Sequence, residues 1–134
     1  VYWVTSDDGV TKSSPSSDIT IDQFVESLYN SNNPSDLIKA LRLSPSNPDI
    51  LSKYAYLLFE KFGAVEEYIK PVEFAVSRAR ILGENNSLVF YRSAQIEKML
   101  NNKADALKYI DRAIELDSPN IEYSDFKKSL LQNN

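Results

Sequence analysis

The sequence predicts an all-α fold built from antiparallel helical hairpins, and three observations lead to this prediction. From residue 20 onward, apolar residues recur three and four positions apart, which is the spacing of an amphipathic helix. Asparagine is followed by proline at 33–34 and again at 47–48, a pair typical of a helix start. Only short segments separate the apolar stripes, and short connections make successive helices pack antiparallel.

The first 17 residues differ from the rest of the chain. Val1–Thr5 is rich in residues that favour strands, and the Asp-Gly pair at 8–9 is a turn signal. A stretch of serine, proline and lysine follows, as in linkers. We therefore expect an N-terminal arm over residues 1–17, poorly ordered or a lone hairpin, and a single helical domain over residues 18–134.

Local signals place the first two helices. Thr20 and Gln23 have the spacing of a capping box, and they predict a helix over about residues 20–30. The Asn-Pro pair at 33–34 predicts a second helix over residues 35–43.

Glycine and proline decide the limits of the next two helices. The pair at 47–48 starts a third helix, which is expected to end near Phe62 because Gly63 can adopt a left-handed cap. A fourth helix is expected over about residues 65–82. Pro71 either kinks that helix or marks a restart, since proline removes a backbone donor.

Three further helices complete the prediction. Ser87 is expected to cap a fifth helix that ends near Asn101. The sixth is expected over residues 103–117 and the seventh over residues 124–132.

The second half of each predicted hairpin repeats. Three segments align on one alanine: ALRLSPSN from Ala40, ARILGENN from Ala79 and AIELDSPN from Ala113. Ala79 and Ala113 are 34 residues apart, and Ala40 and Ala79 are 39 residues apart. A period near 34 is typical of helix-turn-helix repeats, so five extra residues are expected between Ala55 and Ala79.

Both helices of the last unit support the same alignment. Ala94 in its first helix and Ala106 in its second occupy small positions, and Phe90 in the first helix occupies a bulky one. Alanine at such positions lets two helices approach closely while larger side chains fill the space between them.

On these residues the chain resembles the tetratricopeptide repeat family over about residues 18–132. The last unit, FYRSAQIEKMLNNKADALKYIDRAIELDSPN, carries most of the resemblance, and the second departs from it through its insertion and Pro71. The resemblance implies a right-handed superhelical solenoid with a C-terminal capping helix. Its units are about 18–47, 48–86 and 87–120, with the capping helix over 121–133. A helical bundle without repeats is the alternative.

Members of that family generally bind peptides, helices or loops of other proteins in a concave groove lined by the first helix of each hairpin. By resemblance, the groove positions here are Asp49, Ser52, Lys53, Tyr56, Phe59, Glu60, Leu88, Tyr91, Arg92, Gln95, Lys98 and Met99. We expect a partner to contact Lys53, Tyr56, Phe59, Glu60, Tyr91, Arg92, Gln95 and Lys98.

The side chains of this expected groove suit a protein ligand. The aromatic members can bury an apolar anchor, and the three basic members can pair with carboxylates. Alternatively, the rings pack against a neighbouring repeat and the charges are solvated. The clamp that chaperone-type members use for a C-terminal carboxylate is not expected, because Tyr56 and Gln95 stand where it needs asparagine.

Composition excludes many kinds of catalysis. The 134 residues contain no cysteine and no histidine, which removes thiol nucleophiles, Cys/His zinc sites and histidine triads. The three glycines are isolated, so no phosphate-binding loop is present. The carboxylates at 7–8, at 66–67 and at Glu97 are more typical of a solvated surface than of acid–base catalysis. We expect a non-catalytic protein with no cofactor and no metal.

Net charge and hydropathy limit the kinds of partner that the chain can be expected to bind. The net charge of −4 and pI near 4.8 argue against a nucleic acid ligand, and no apolar run is long enough to span a bilayer. We expect a protein or peptide partner, and homo-oligomerisation stays open. Because the chain begins at Val1, we expect a processed chain or a fragment. The compartment of this soluble domain stays open: the cytoplasm, or the periplasm if an upstream signal or anchor was removed.

Two alternative functions stay open at this stage. One is an oligomerising structural scaffold within a larger polypeptide or complex. The other follows from layout: an elongated middle repeat, a last repeat ending LDSPN and a terminal helix with SDFKKSLLQ are similar to the periplasmic repeat domains of cytochrome c maturation proteins. That similarity implies a domain that holds an amphipathic helix of an apocytochrome.

Overall fold

The computed structural model of the chain describes residues 19–132, and that part is all helical, with seven α-helices and no strand. The all-α prediction is confirmed. The predicted arm over residues 1–17 lies outside the described residues. The helices are α1 (Ile21–Tyr29), α2 (Pro34–Leu43), α3 (Pro48–Phe62), α4 (Glu66–Leu82), α5 (Ser87–Met99), α6 (Lys103–Leu116) and α7 (Ile121–Gln132).

The predicted starts of the first three helices are confirmed. Thr20 and Gln23 form a capping box, with each side chain bonded to the backbone of the other residue. The Asn33 side chain accepts a hydrogen bond from Ser35 N at 3.0 Å, and the Asn47 side chain accepts one from Asp49 N at 2.9 Å. These side chains satisfy backbone N–H groups that have no partner within the helix.

The starts of α5 and α7 differ from the prediction. Asn86, not Ser87, caps α5, because its side-chain oxygen accepts from the backbone N–H groups of residues 88 and 89. In α7, the Asn120 side chain accepts from Glu122 N at 3.0 Å, so the helix begins at Ile121. This start agrees with the range 121–133 expected for the capping helix and not with the range 124–132. In both places an asparagine cap stands before the residue that sequence reasoning chose.

Helix α4 runs through Pro71 from Glu66 to Leu82 without interruption, so the alternative of a restart there is wrong. Gly63 ends α3 with φ of 83°, which confirms the expected positive φ, although its ψ of 170° is extended rather than left-handed helical. At Gly83 the constraint is space, since a Cβ built there would lie 2.9 Å from the Cβ of Pro48.

The helices pack in chain order, and α3 also packs against α5. Three clusters of buried side chains form the core: one joins α1, α2 and α3, the second joins α3, α4 and α5, and the third joins α5, α6 and α7. Helices α3 and α5 each belong to two clusters. They therefore make the core continuous from one end of the described chain to the other.

Alanine recurs at fully buried positions in the helix contacts. The six alanines of the repeat alignment are fully buried, with 0% of each residue exposed: Ala40, Ala55, Ala79, Ala94, Ala106 and Ala113. A larger side chain at these places would have to push two helices apart.

No helix within residues 19–132 has both the length and the apolar character that crossing a membrane requires.

We expect Ala113→Leu to lower the free energy of unfolding by about 1–3 kcal/mol, because the added atoms overpack the cluster shared by α5, α6 and α7. Ala104→Leu is the matched control, since Ala104 lies exposed on the same helix α6. Urea denaturation followed by circular dichroism measures both variants. Equal unfolding midpoints for the two would show that Ala113 is not at a close helix contact.

Candidate functional site

Two surface depressions form one groove between α3 and α5. The first has a volume of about 490 Å³ and the second about 340 Å³. Tyr56 and Gln95 line both depressions, so the two are continuous. We call this surface the α3/α5 groove. The first depression is lined by Asn32, Lys53, Tyr56, Leu57, Glu60, Lys61, Leu88, Tyr91, Arg92 and Gln95, and the second by Tyr56, Gln95, Lys98, Met99 and Phe126.

The structure brings together seven of the eight side chains that the sequence analysis assigned to partner binding. They are Lys53, Tyr56, Glu60, Tyr91, Arg92, Gln95 and Lys98. They meet because α3 and α5 lie side by side, and each helix turns one face toward the same open surface.

Phe59 does not belong to the groove, and its assignment as a partner contact is wrong. Only 1% of this residue is exposed, and it packs in the cluster shared by α3, α4 and α5. Phe59 follows Ala55 by four positions, so both residues lie on the face of α3 that contacts α4.

Arg92 lies at the floor of the groove with only 9% of the residue exposed. Its Nη1 donates to the backbone oxygen of Asp49 at 2.9 Å and to Ser52 Oγ at 3.0 Å, and its Nη2 donates to the Tyr29 hydroxyl at 2.7 Å. This side chain therefore connects α5 to the start of α3 and the end of α1.

Lys53 lies beside Arg92 and strengthens the same connection. Its Nζ donates to the backbone oxygen of Tyr29 and lies 4.1 Å from the centre of the Tyr29 ring. Burial, and then the nearby positive charge of Arg92, lower the pKa of Lys53. Two cations therefore converge on one tyrosine, which sequence reasoning did not select.

Each of the two groove tyrosines has a carboxylate near it. The Tyr56 hydroxyl donates to Glu60 Oε2 at 3.1 Å, and Glu122 of α7 lies near Tyr91. Burial first, and then Glu122, raise the pKa of Tyr91 to about 12, and burial with Glu60 raises the pKa of Tyr56. Both phenols are therefore protonated donors at neutral pH.

Helix α7 forms one wall of the groove. The Tyr91 ring lies 4.8 Å from the Tyr123 ring and 5.6 Å from the Phe126 ring, edge to face in the second case. Lys98 Nζ lies 5.5 Å from the centre of the Phe126 ring. Phe126 was not among the expected groove residues, because it belongs to the helix that the resemblance implied as a cap on the last repeat.

The cations of the groove lack carboxylate partners. Four basic side chains line it: Lys53, Lys61, Arg92 and Lys98. Among the described residues, no Asp or Glu oxygen lies within 4.0 Å of the charged nitrogens of these four. Their positive charge is therefore not cancelled by direct ion pairs.

The carboxylates considered for catalysis do not assemble with one another. Glu66 and Glu67 are exposed in the first turn of α4, and the pair at 7–8 lies outside the described residues. Glu97 lies in α5 and accepts a hydrogen bond at 3.0 Å from the side chain of Asn102, which follows the end of that helix. Burial of Glu97 raises the pKa of its carboxyl group. Within residues 19–132, no group of three or more acidic side chains could hold a metal ion.

No family model and no curated protein matches this sequence. The function proposed below therefore depends on the residues and contacts just described.

We expect Tyr29→Phe to lower the free energy of unfolding by about 1.5–3 kcal/mol, because a buried guanidinium loses its hydroxyl acceptor. Tyr109→Phe is the matched control, since the contact there is made by the ring, with Arg80 Cζ 4.3 Å from its centre, and phenylalanine keeps a ring. Thermal and urea denaturation measure both variants. A Tyr29→Phe protein as stable as the control would contradict the role given to the Arg92 contacts.

Proposed function

We propose that this domain binds a segment of another protein in the α3/α5 groove, and that its helices form a tetratricopeptide-like solenoid that presents this groove. The binding is non-catalytic. The observation that carries the proposal is the convergence of seven predicted partner-binding residues on one open surface.

Three features support the solenoid arrangement. The helices pack in chain order, and the additional contact joins α3 to α5, which are the first helices of adjacent predicted units. Fully buried alanines recur 34 and 39 residues apart along the second helices. Helix α7 packs on α6 beyond the last unit, as a capping helix would.

The side chains of the groove suit a protein ligand. Tyrosine is enriched among the residues that contribute most to protein interfaces, and Tyr56 and Tyr91 are partly exposed here. Leu88, Met99 and Phe126 add apolar surface beside the lysines. Glu60, the acidic residue that lines the groove, accepts a hydrogen bond from the Tyr56 hydroxyl, which favours recognition over proton transfer.

A second candidate function is an oligomerising scaffold, and one observation favours it. Phe74 and Ile81 are 72% and 78% exposed, and they lie two helical turns apart on the outer face of α4. Paired exposed apolar side chains of this kind occur at contact surfaces. The apocytochrome-holding alternative is a special case of the groove proposal, with an amphipathic helix as the ligand.

Gln95→Trp tests the groove because the larger side chain would fill the region shared by both depressions. We expect recovery of partner proteins from lysate, quantified by mass spectrometry, to fall by at least about tenfold. Arg78→Trp is the matched control, since Arg78 lies exposed between Phe74 and Ile81 on α4.

The two variants also separate the two candidate functions. Loss of partners with Gln95→Trp and normal recovery with Arg78→Trp supports the groove. The reverse result, with a change in molecular mass for Arg78→Trp in light scattering, would favour the scaffold and contradict the groove.

A further inference from the structure

The charge of the α3/α5 groove is opposite in sign to that of the whole chain. The chain carries 19 acidic and 15 basic residues, for a net charge of −4. Four cations nevertheless line the groove, while Glu60 is the one acidic residue among the described side chains that line it. A concave surface of one sign attracts ligands of the other sign.

One of the four cations, Arg92, is buried at the floor of the groove. Charged side chains that are removed from water are normally paired with an opposite charge. The three hydrogen bonds of Arg92 go instead to a backbone carbonyl and two hydroxyls, which are neutral acceptors. Lys53 likewise donates to a carbonyl. The floor of the groove therefore holds two neighbouring cations whose charge is still available to an anionic ligand group.

The remaining cations lie further along the groove. Lys61 lines the first depression with Lys53 and Arg92, whereas Lys98 lines the second, beside Met99 and Phe126. Both Lys61 and Lys98 are exposed, so their amino groups can contact a ligand without any rearrangement of the core. Positive charge thus occurs in both depressions, and apolar surface lies next to it in the second.

From this arrangement we infer that the groove selects an acidic, amphipathic segment of its partner, in which Asp or Glu side chains alternate with large apolar anchors. The inference rests on the proposed function and specifies its ligand. A carboxylate contacts the first depression, an apolar anchor packs against Met99 and Phe126, and a further carboxylate pairs with Lys98.

Two features favour an internal acidic segment over other anions. A terminal carboxylate is a single group and would neutralise the cations of only one depression. A nucleic acid would bring closely spaced phosphates past Glu60, which lines the groove, and past Glu122 of α7, which lies near Tyr91. In a peptide whose side-chain carboxylates are separated by apolar residues, the carboxylates can contact the groove lysines without lying close to the protein's own acidic residues.

A library of displayed random 12-residue peptides tests the inference without a known partner. Peptides are selected on the wild-type protein, and those that also bind the Gln95→Trp variant are discarded, so that only groove-dependent peptides are kept. We expect Asp and Glu to be enriched beside Leu, Phe and Met. We also expect the affinity to fall as salt concentration rises, because ionic screening weakens such contacts.

Charge reversal then identifies the cations involved. The double variant Lys61→Glu, Lys98→Glu is expected to bind the selected peptides at least about tenfold more weakly. The control is the double variant Lys70→Glu, Lys128→Glu, which changes the net charge equally at exposed positions of α4 and α7. It is expected to bind as the wild type does. Neither variant alters Arg92 or Lys53, so the contacts that connect the helices are kept.

The outcomes separate this inference from the proposed function. Groove-dependent peptides without acidic enrichment, or with equal affinity for both double variants, would overturn the inference and leave the proposed function standing. Tighter binding of an oligothymidylate than of the selected peptides would also overturn it. If every selected peptide also bound Gln95→Trp, the proposed function itself would be contradicted.

Discussion

The contact between α3 and α5 is the feature on which the rest of the structure depends. Arg92 of α5 bonds the backbone oxygen of Asp49 and the hydroxyl of Ser52 in the first turns of α3, and it also reaches the hydroxyl of Tyr29 at the end of α1. Two of the three buried clusters include α3, and two include α5. Without this contact, α3 and α5 would be joined mainly through α4, and the open surface that they share would be lost.

The groove is a consequence of the same contact. When α3 and α5 lie side by side, Tyr56 and Tyr91 come to one open surface, and α7 adds the ring of Phe126. The buried cation that fastens the helices also supplies positive charge to the groove floor. Under the proposed function, stability and recognition therefore share Arg92, so the lysines at the edge of the groove are better positions for testing recognition alone.

The sequence predicted the local features well because helix caps depend on residues close in the chain. Thr20 with Gln23, Asn33 and Asn47 each bond a backbone group two or three positions away, and the structure confirms all three starts. The errors at Ser87 and at the start of α7 have the same origin. A serine lay near an asparagine cap, and spacing alone did not show which side chain bonds the backbone.

The groove could be predicted only in part, because helix rotation and distant contacts decide it. Phe59 was assigned by its repeat position, but its rotation on α3 turns it toward α4 and into the core. Arg92 bonds an oxygen 43 positions earlier in the chain, and no local pattern indicates such a contact. Lys61 lies one position beyond the assigned groove residues of α3, and Phe126 belongs to a helix that was assigned a capping role only.

Amide hydrogen exchange, measured by mass spectrometry with and without a saturating groove-binding peptide, tests the central claim most directly. If α3 and α5 together form the binding surface, exchange slows in Pro48–Phe62 and Ser87–Met99, and near Phe126, while Glu66–Leu82 exchanges as before. Slower exchange confined to Glu66–Leu82, or protection of only one of α3 and α5, would contradict a binding surface shared between these two helices.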